Sequence, residues 1–457
     1  MTAPDHAGSL EEQIAQWRSY LAHRQAIHSV DVAELEDHLR EQIAMLTDAG
    51  LASDEAFLVA VKRMGDLDSL SREFAREHSE RLWKQLVVSP AEVGGAPTTA
   101  ARKDAVIAFS LAVAAGVLIK LPALFGLQLQ THGNFYGRNL SFFVLPLLVG
   151  YFVWKRGLAG GTVRWLAGAF VFAAVVANVY PVRPGGDTEV LMALHLPIAL
   201  WLAVGIAYAG GRWGQVAGRM DFVRFSGELF IYFVLLALGG GLLTAFMAVT
   251  FQAIGIDIEP IFESWLLPCG AAGGVLVASW LVEAKQSVIE NMAPVLTRLF
   301  TPFFALALLA FLGTLLFTGR AIDIEREVLI AFDLLLVVVL ALLLYSVSAR
   351  DPHARPGAFD VVQVVLVVCA LVADGVALWA IGARITELGF TPNRTAALGE
   401  NVILAVNLAW SAVLYVRFLR GRGAFSDLER WQTTYLPVYA LWAALVVIVF
   451  PVVFRFI

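Results

Sequence analysis

Four ionisable residues stand inside otherwise apolar stretches, and these are the positions where the sequence could do chemistry: Lys120, His195, Asp333 and Asp374. A charge at the centre of an isolated membrane helix costs about 2.5 to 3.5 kcal/mol on insertion scales, so such side chains face one another or water. An ion pair between Lys120 and Asp374 would offset much of that cost, and His195 beside them would titrate near neutral pH. We therefore predict an outward-facing polar pocket that binds a cation, a proton or a ligand headgroup. The alternative is that Asp333 and His195 reach the lipid headgroups while Asp374 caps a neighbouring backbone.

A second acidic group is predicted from a short repeat. The tetrapeptide Ile-Asp-Ile-Glu occurs at 256–259 and again at 322–325, each time after an apolar stretch. Duplicated helix pairs are common in transporters, and chance similarity or a preference of acids for the membrane interface is the alternative. If the repeat is a duplication, four acids form an external mouth: Asp257, Glu259, Asp323 and Glu325.

Sequence motifs for catalysis are missing. The chain has no G-x-x-x-x-G-K-[ST] loop, no H-E-x-x-H and no G-x-S-x-G, and its histidines have no metal-ligand spacing. Cys269 and Cys369 lie in apolar runs and are expected to be buried free thiols. The sequence therefore predicts a protein that is not an enzyme, with no catalytic residue, no metal site and no cofactor.

The elements that must position these residues are membrane helices. Of the 457 residues, 59% are hydrophobic and 16% charged, and the mean hydropathy is +0.72. A soluble domain has about 25% charged residues, so most of this chain is expected to lie in the lipid bilayer. Eleven apolar runs are long enough to predict spans. They lie near 105–127, 139–154, 163–182, 189–209, 225–250, 263–282, 299–318, 328–347, 360–383, 395–417 and 434–455.

Residues 1–86 differ from the rest and are expected to form a soluble head. Their hydrophobic residues recur at helical spacing, which predicts a compact bundle of about four helices. A Pro- and Gly-bearing linker at 87–103 precedes a membrane body at 104–457. Residues 1–100 hold 17 Asp and Glu against 9 Lys and Arg, so this acidic head is a poor partner for nucleic acid.

Three blocks of the head resemble a known family. They are Asp31-Val-Ala-Glu-Leu-Glu-Asp-His-Leu-Arg-Glu, Ala49-Gly-Leu-Ala-Ser-Asp-Glu-Ala-Phe and Arg63-Met-Gly-Asp-Leu. In this order they resemble permease prefix domain 1, a small helical domain found ahead of bacterial membrane proteins. The resemblance implies a regulatory or assembly role, with a cytoplasmic protein partner bound through residues 9–85. The alternative is that the acids of the first block are simply the solvated face of a helix.

A second resemblance lies near the end of the body. The run from Trp379 to Arg394, with its turn Gly389-Phe-Thr-Pro-Asn-Arg, is similar to the membrane family called domain of unknown function 4153. That family carries no established activity, so the resemblance implies topology only. The residues themselves predict a helix start, because Thr391 can cap the next helix and Pro392 suits its first position.

Loop charges predict the orientation. With the head inside, the inner loops hold 14 Lys and Arg and the outer loops 7, which predicts a bacterial inner-membrane protein with a cytoplasmic N-terminus and an outward C-terminus. No signal peptide is expected from the acidic start of the sequence. The first expected function is a sensory or regulatory membrane protein whose head engages a partner. The alternative is a secondary transporter of the permease type.

Overall fold

A computed structural model gives the structure of the chain. It describes residues 10–11, 13–14, 29–48, 51–63, 99–254, 256–284, 292–318, 326–350 and 354–457. The chain divides into two compact units, Met1–Thr98 and Thr99–Ile457. The described residues are helical with connecting turns and contain no strand, as the sequence predicts for an all-α protein.

In the first unit the structure describes two helices, α1 (Ser29–Asp48) and α2 (Ser53–Arg63). α1 packs against α2 with Leu39, Ile43 and Leu46, which are buried and recur at the helical spacing expected from the sequence. The predicted helices at either end of the head lie largely outside the described residues. The four-helix bundle therefore stays a prediction.

An ion pair joins Arg40 of α1 to Glu11, a residue that precedes this helix in the sequence. The guanidinium of Arg40 donates to Oε1 of Glu11 at 2.7 Å and to Oε1 of Glu36 at 2.9 Å. The Arg40 guanidinium holds the pKa of the Glu11 carboxyl below its ordinary value, chiefly through this hydrogen bond. Both side chains are largely exposed, so the pair contributes little stability.

The second unit consists of long helices in quick succession. Their order is α3 (Thr99–Lys120), α4 (Gly133–Arg156), α5 (Gly160–Val179), α6 (Asp187–Tyr208), α7 (Val216–Ala253), α8 (Glu259–Ala284), α9 (Met292–Thr318), α10 (Arg326–Ala349), α11 (Ala358–Leu388), α12 (Pro392–Leu419), α13 (Phe425–Ile448) and α14 (Phe450–Val453). Because α3 begins at Thr99, the last residues of the predicted linker are helical. Although it contains three consecutive glycines at 239–241, α7 is one continuous helix.

Ten of the described helices are long and apolar enough to cross a membrane. The sequence predicts eleven spans, and the difference is α10. Its apolar part, Asp333–Ala349, is shorter than the others, although α10 as a whole covers the predicted span at 328–347. A multi-pass helical membrane protein is thus supported, while the count of eleven stays a prediction.

The membrane helices build two apolar cores. One core lies among α3, α4, α5, α6, α7 and α8, and the other among α9, α10, α11, α12 and α13. The second core also receives Met220 and Val223 from the start of α7, so this helix contributes to both cores. Residues on different helices of the second core are therefore held at fixed distances from one another.

Charged residues at helix ends pair with one another. Glu283 at the end of α8 accepts from Arg156 at 2.8 Å and lies 3.2 Å from Lys155, both at the end of α4. Arg350 donates to both oxygens of Asp360 at 2.9 Å, which joins the end of α10 to the start of α11. These charges have structural partners, so they are poor candidates for a ligand site.

Candidate functional site

Acidic side chains lie near one another on three neighbouring helices of the second core. Asp333 comes from the second turn of α10, Asp374 from the middle of α11 and Glu400 from the third turn of α12. Asp333 lies close enough to interact electrostatically with the carboxyl groups of both Asp374 and Glu400. Two residues of the predicted pocket, Asp333 and Asp374, are thus brought together. We call Asp333, Asp374, Glu400 and the neighbouring Asn401 the acid cluster.

Asn401 links α12 to Asp333 of the acid cluster. Its Nδ2 donates to Oδ1 of Asp333 at 2.8 Å and to the carbonyl of Ala397 at 2.8 Å. The Asn401 side chain is fully buried, and its Oδ1 has no hydrogen-bond partner among the described residues. The cluster therefore has an amide oxygen available as a further acceptor.

Asp374 is the most unusual member of the cluster. Its side chain is 0% exposed, and neither carboxylate oxygen has a hydrogen-bond partner within the described part of the chain. An ionised carboxylate in such a place is strongly disfavoured. Asp333 adds like-charge repulsion to this cost. If all three carboxyl groups of the cluster were ionised, their negative charges would require a bound proton or cation to compensate them.

Glu400 and Asn401 are not predicted as site residues from the sequence. Both lie within the predicted span at 395–417, but close to its beginning, where polar residues are ordinary. The signal that could have found them is their position: Glu400 is about as far from the start of α12 as Asp333 is from the start of α10. Because α11 lies between them in the chain, α10 and α12 run in the same direction, so equal distances from their starts place such residues at the same depth.

A separate group of buried polar side chains lies nearer the start of α11. Gln363, on the same face as Asp374, donates to the hydroxyl of Ser346 at 2.8 Å and to that of Thr301 at 3.4 Å. Gln363 and Thr301 are fully buried, and Oε1 of Gln363 has no partner in the described ranges. Asp360 with its partner Arg350 lies three residues earlier. One face of α11 thus carries polar side chains in its first two turns and again at Asp374, with an apolar segment at 364–373 between them.

A second polar group lies between α12 and α13. Gln432 donates to the hydroxyl of Ser411 at 2.6 Å, and Asn407 donates to Oε1 of Gln432 at 3.2 Å. All three side chains are fully buried. Asn407 and Asn401 are both fully buried on α12, so this helix carries buried polar side chains at two levels.

Lys120 is placed elsewhere. Its Nζ lies 4.6 Å from the centroid of the Trp265 ring, a cation–π contact between the end of α3 and the start of α8. The suggested ion pair between Lys120 and Asp374 is not formed. The reason is helix packing, since α3 packs on α8 and α4 whereas α11 packs on α12, α9 and α10.

His195 is also separate from the acid cluster. It is buried in α6, where its Nδ1 lies 2.9 Å from the carbonyl oxygen of Leu191 in the preceding turn. No ion pair joins it to Lys120, Asp333 or Asp374 in the described structure. The four predicted residues therefore lie at three separate sites. Lys120 and His195 each lie apart, and only Asp333 and Asp374 share a site.

The predicted acidic mouth is only half described. Asp257 and Glu259 are exposed, and Oδ1 of Asp257 accepts from the backbone N–H of Glu259 at 3.0 Å, which is a local turn. Asp323 and Glu325 lie outside the described residues. Over the described ranges, no group of three His, Cys, Asp or Glu side chains is arranged to hold a metal ion.

The predicted cap at Thr391 is confirmed. Its hydroxyl accepts from the backbone N–H of Arg394 at 3.3 Å, and Pro392 occupies the first position of α12. Arg394 donates to the carbonyls of Leu388 and Gly389. This turn fixes the start of α12 and therefore the depth of Glu400 and Asn401.

Comparison of the chain with protein-family models, with curated proteins and with solved structures found no match. The two family resemblances of the sequence therefore stay predictions.

Proposed function

We propose that the membrane body is a proton-coupled secondary transporter and that the acid cluster is its proton-binding site. The observation that carries the proposal is Asp374, a fully buried carboxyl group without a hydrogen-bond partner among the described residues, beside Asp333. Ionisable residues of this kind inside membrane helices mark proton relays and ion pathways.

Gln363 with Ser346 and Thr301 forms a second buried polar group on the face of α11 that carries Asp374, about three turns nearer the start of the helix. The ten residues between Gln363 and Asp374 are apolar, so these groups do not form a continuous polar path to Asp374. Asn401 would hold Asp333 in place while the proton exchanges among the three acids. No metal is required for this chemistry.

Proton flux through reconstituted vesicles tests the proposal. The full chain is placed in vesicles that contain a pH-sensitive dye, and a panel of amino acids, sugars, organic cations and organic anions is added one at a time. We expect at least one solute class to change the internal pH with the wild-type chain and Asp374→Asn to abolish that change. Asn has nearly the shape of Asp but carries no exchangeable carboxyl proton.

Asp427→Asn is the matched control, because Asp427 lies in the first turn of α13 and outside the acid cluster. It should keep the wild-type flux. Equal flux in the wild-type chain and in Asp374→Asn would contradict the proposal, and so would the absence of solute-dependent flux across the whole panel.

The sensory role predicted from the sequence stays a prediction. It rests on the resemblance of residues 9–85 to a prefix domain, and much of that region lies outside the described residues. A proton-binding membrane body and a regulatory head are compatible within one chain.

A further inference from the structure

A groove of about 1090 Å³ opens on the surface of the helix bundle beside α3 and α8. Its walls are apolar along most of its length and include Phe109, Val113 and Val117 of α3. Val113 is 67% exposed, so the groove faces the surroundings of the bundle and is not an interior cavity. In a membrane those surroundings are lipid.

Close packing of two helices makes the floor of the groove. A Cβ atom on Gly116 would lie 3.3 Å from Cβ of Cys269, and one on Gly273 would lie 3.1 Å from the carbonyl oxygen of Ala112. Small residues at such contacts let helix backbones approach closely. Because the floor is backbone and small side chains, the groove keeps its depth.

One end of the groove is polar. Lys120 lines it together with Ser264, Trp265 and Gln128. The Lys120 ammonium lies over the Trp265 ring, and it has no carboxylate partner in the part of the chain that the structure describes. Ser264 and Trp265 belong to a π-helical turn, Phe262–Leu266, and turns of this type occur frequently at functional sites.

The length of the groove matches one leaflet of a bilayer. From Phe109 to Lys120 the groove follows α3 for about 16 Å, at a helical rise of about 1.5 Å per residue. The hydrocarbon core of a bilayer is about 30 Å thick. The groove thus runs from the end of α3 to roughly the middle of the membrane.

We propose that this groove binds a phospholipid of net negative charge, with its phosphate at Lys120 and an acyl chain along Phe109, Val113 and Val117. The cation at one end and the apolar walls below it complement the two parts of such a lipid. Trp265 supports the binding because aromatic rings of this kind lie at the level of the headgroups. The site is separate from the acid cluster and does not depend on the proposed transport.

Binding of defined lipids to the purified full chain tests the inference. Phosphatidylglycerol and phosphatidylcholine with identical acyl chains are titrated, and lipid-bound species are counted by native mass spectrometry. Lys120→Gln should weaken phosphatidylglycerol binding about fivefold, as expected for the loss of one cation near an anionic headgroup. Phosphatidylcholine binding should change little.

A second variant tests the apolar part. Val113→Trp fills the groove and should weaken the binding of both lipids, whereas Val171→Trp on α5 should not. Val171 is the matched control because it is 63% exposed on another membrane helix and does not line the groove. Equal binding by Val113→Trp and Val171→Trp, or an unchanged affinity of Lys120→Gln for phosphatidylglycerol, would overturn the inference. Binding of glycerol phosphate as tight as that of phosphatidylglycerol would also overturn it, since the site would then recognise the phosphate without any acyl chain.

Discussion

Asn401 on α12 donates a 2.8 Å hydrogen bond to the carboxyl group of Asp333 on α10. Asp333 also lies near the carboxyl groups of Asp374 on α11 and Glu400 on α12, and these acids repel one another when they are ionised. A hydrogen bond between helices in a membrane contributes about 0.6 kcal/mol on average. Its role here is mainly to orient a carboxyl group.

A double-mutant cycle measures that hydrogen bond. Asp333→Leu, Asn401→Leu and the double variant are compared with the wild-type chain by unfolding in detergent. We expect a coupling free energy of about 0.6 kcal/mol, because each single change removes the same bond. Additive effects of the two changes would show that the bond contributes nothing measurable.

The close packing of Gly399, the residue before Glu400, gives a second prediction. Gly399 lies against the Trp442 ring of α13, and a Cβ atom at this position would overlap that ring. Gly399→Ala should therefore lower the unfolding temperature and reduce proton flux, since it displaces the helix that carries Glu400 and Asn401. Gly375→Ala on α11 is the control, because nothing lies within 4 Å of a Cβ atom there. If both changes have the same effect, α12 and α13 are not closely packed at this point.

The number of spans determines the side of the membrane on which Ile457 lies. If the shorter apolar stretch of α10 crosses the membrane, eleven spans place Gly95 and Ile457 on opposite sides. A reporter that is active only outside the cytoplasm should then be active after Ile457 and silent at Gly95. Silence at both positions would mean that the number of spans is even, and activity at Gly95 alone would reverse the orientation.

The head is predicted to fold without the membrane body. A fragment of residues 1–90 should give a cooperative helical melt by circular dichroism. Glu11 has a lowered pKa in the folded state, so its small contribution to stability is present above the ordinary Glu value of about 4.3 and is lost as the pH falls through the lowered pKa. Arg40→Met should remove that pH dependence. A random-coil spectrum of the fragment would contradict an independent domain.

Local sequence patterns were enough to predict the helices but not which helices pack against one another. The apolar runs and the cap at Thr391 are properties of short segments, and the structure agrees with both. Asp333 and Asp374 could be singled out because an acid within an apolar run is costly wherever the helix packs. The separation of Lys120 from Asp374 depends on which helices are adjacent, and that is decided by packing over hundreds of residues. Glu400 was missed because it lies near a span end, where its cost depends on burial by neighbouring helices.

The most direct test of the account is whether the acid cluster binds a proton. Infrared spectra of the full chain in vesicles, recorded as the pH is raised, report protonated carboxyl groups by their C=O stretching band. We predict that part of this band, present in the wild-type chain and in Asp427→Asn, is missing from Asp374→Asn and decreases with rising pH. Identical spectra of the wild-type chain and Asp374→Asn at every pH would contradict the account.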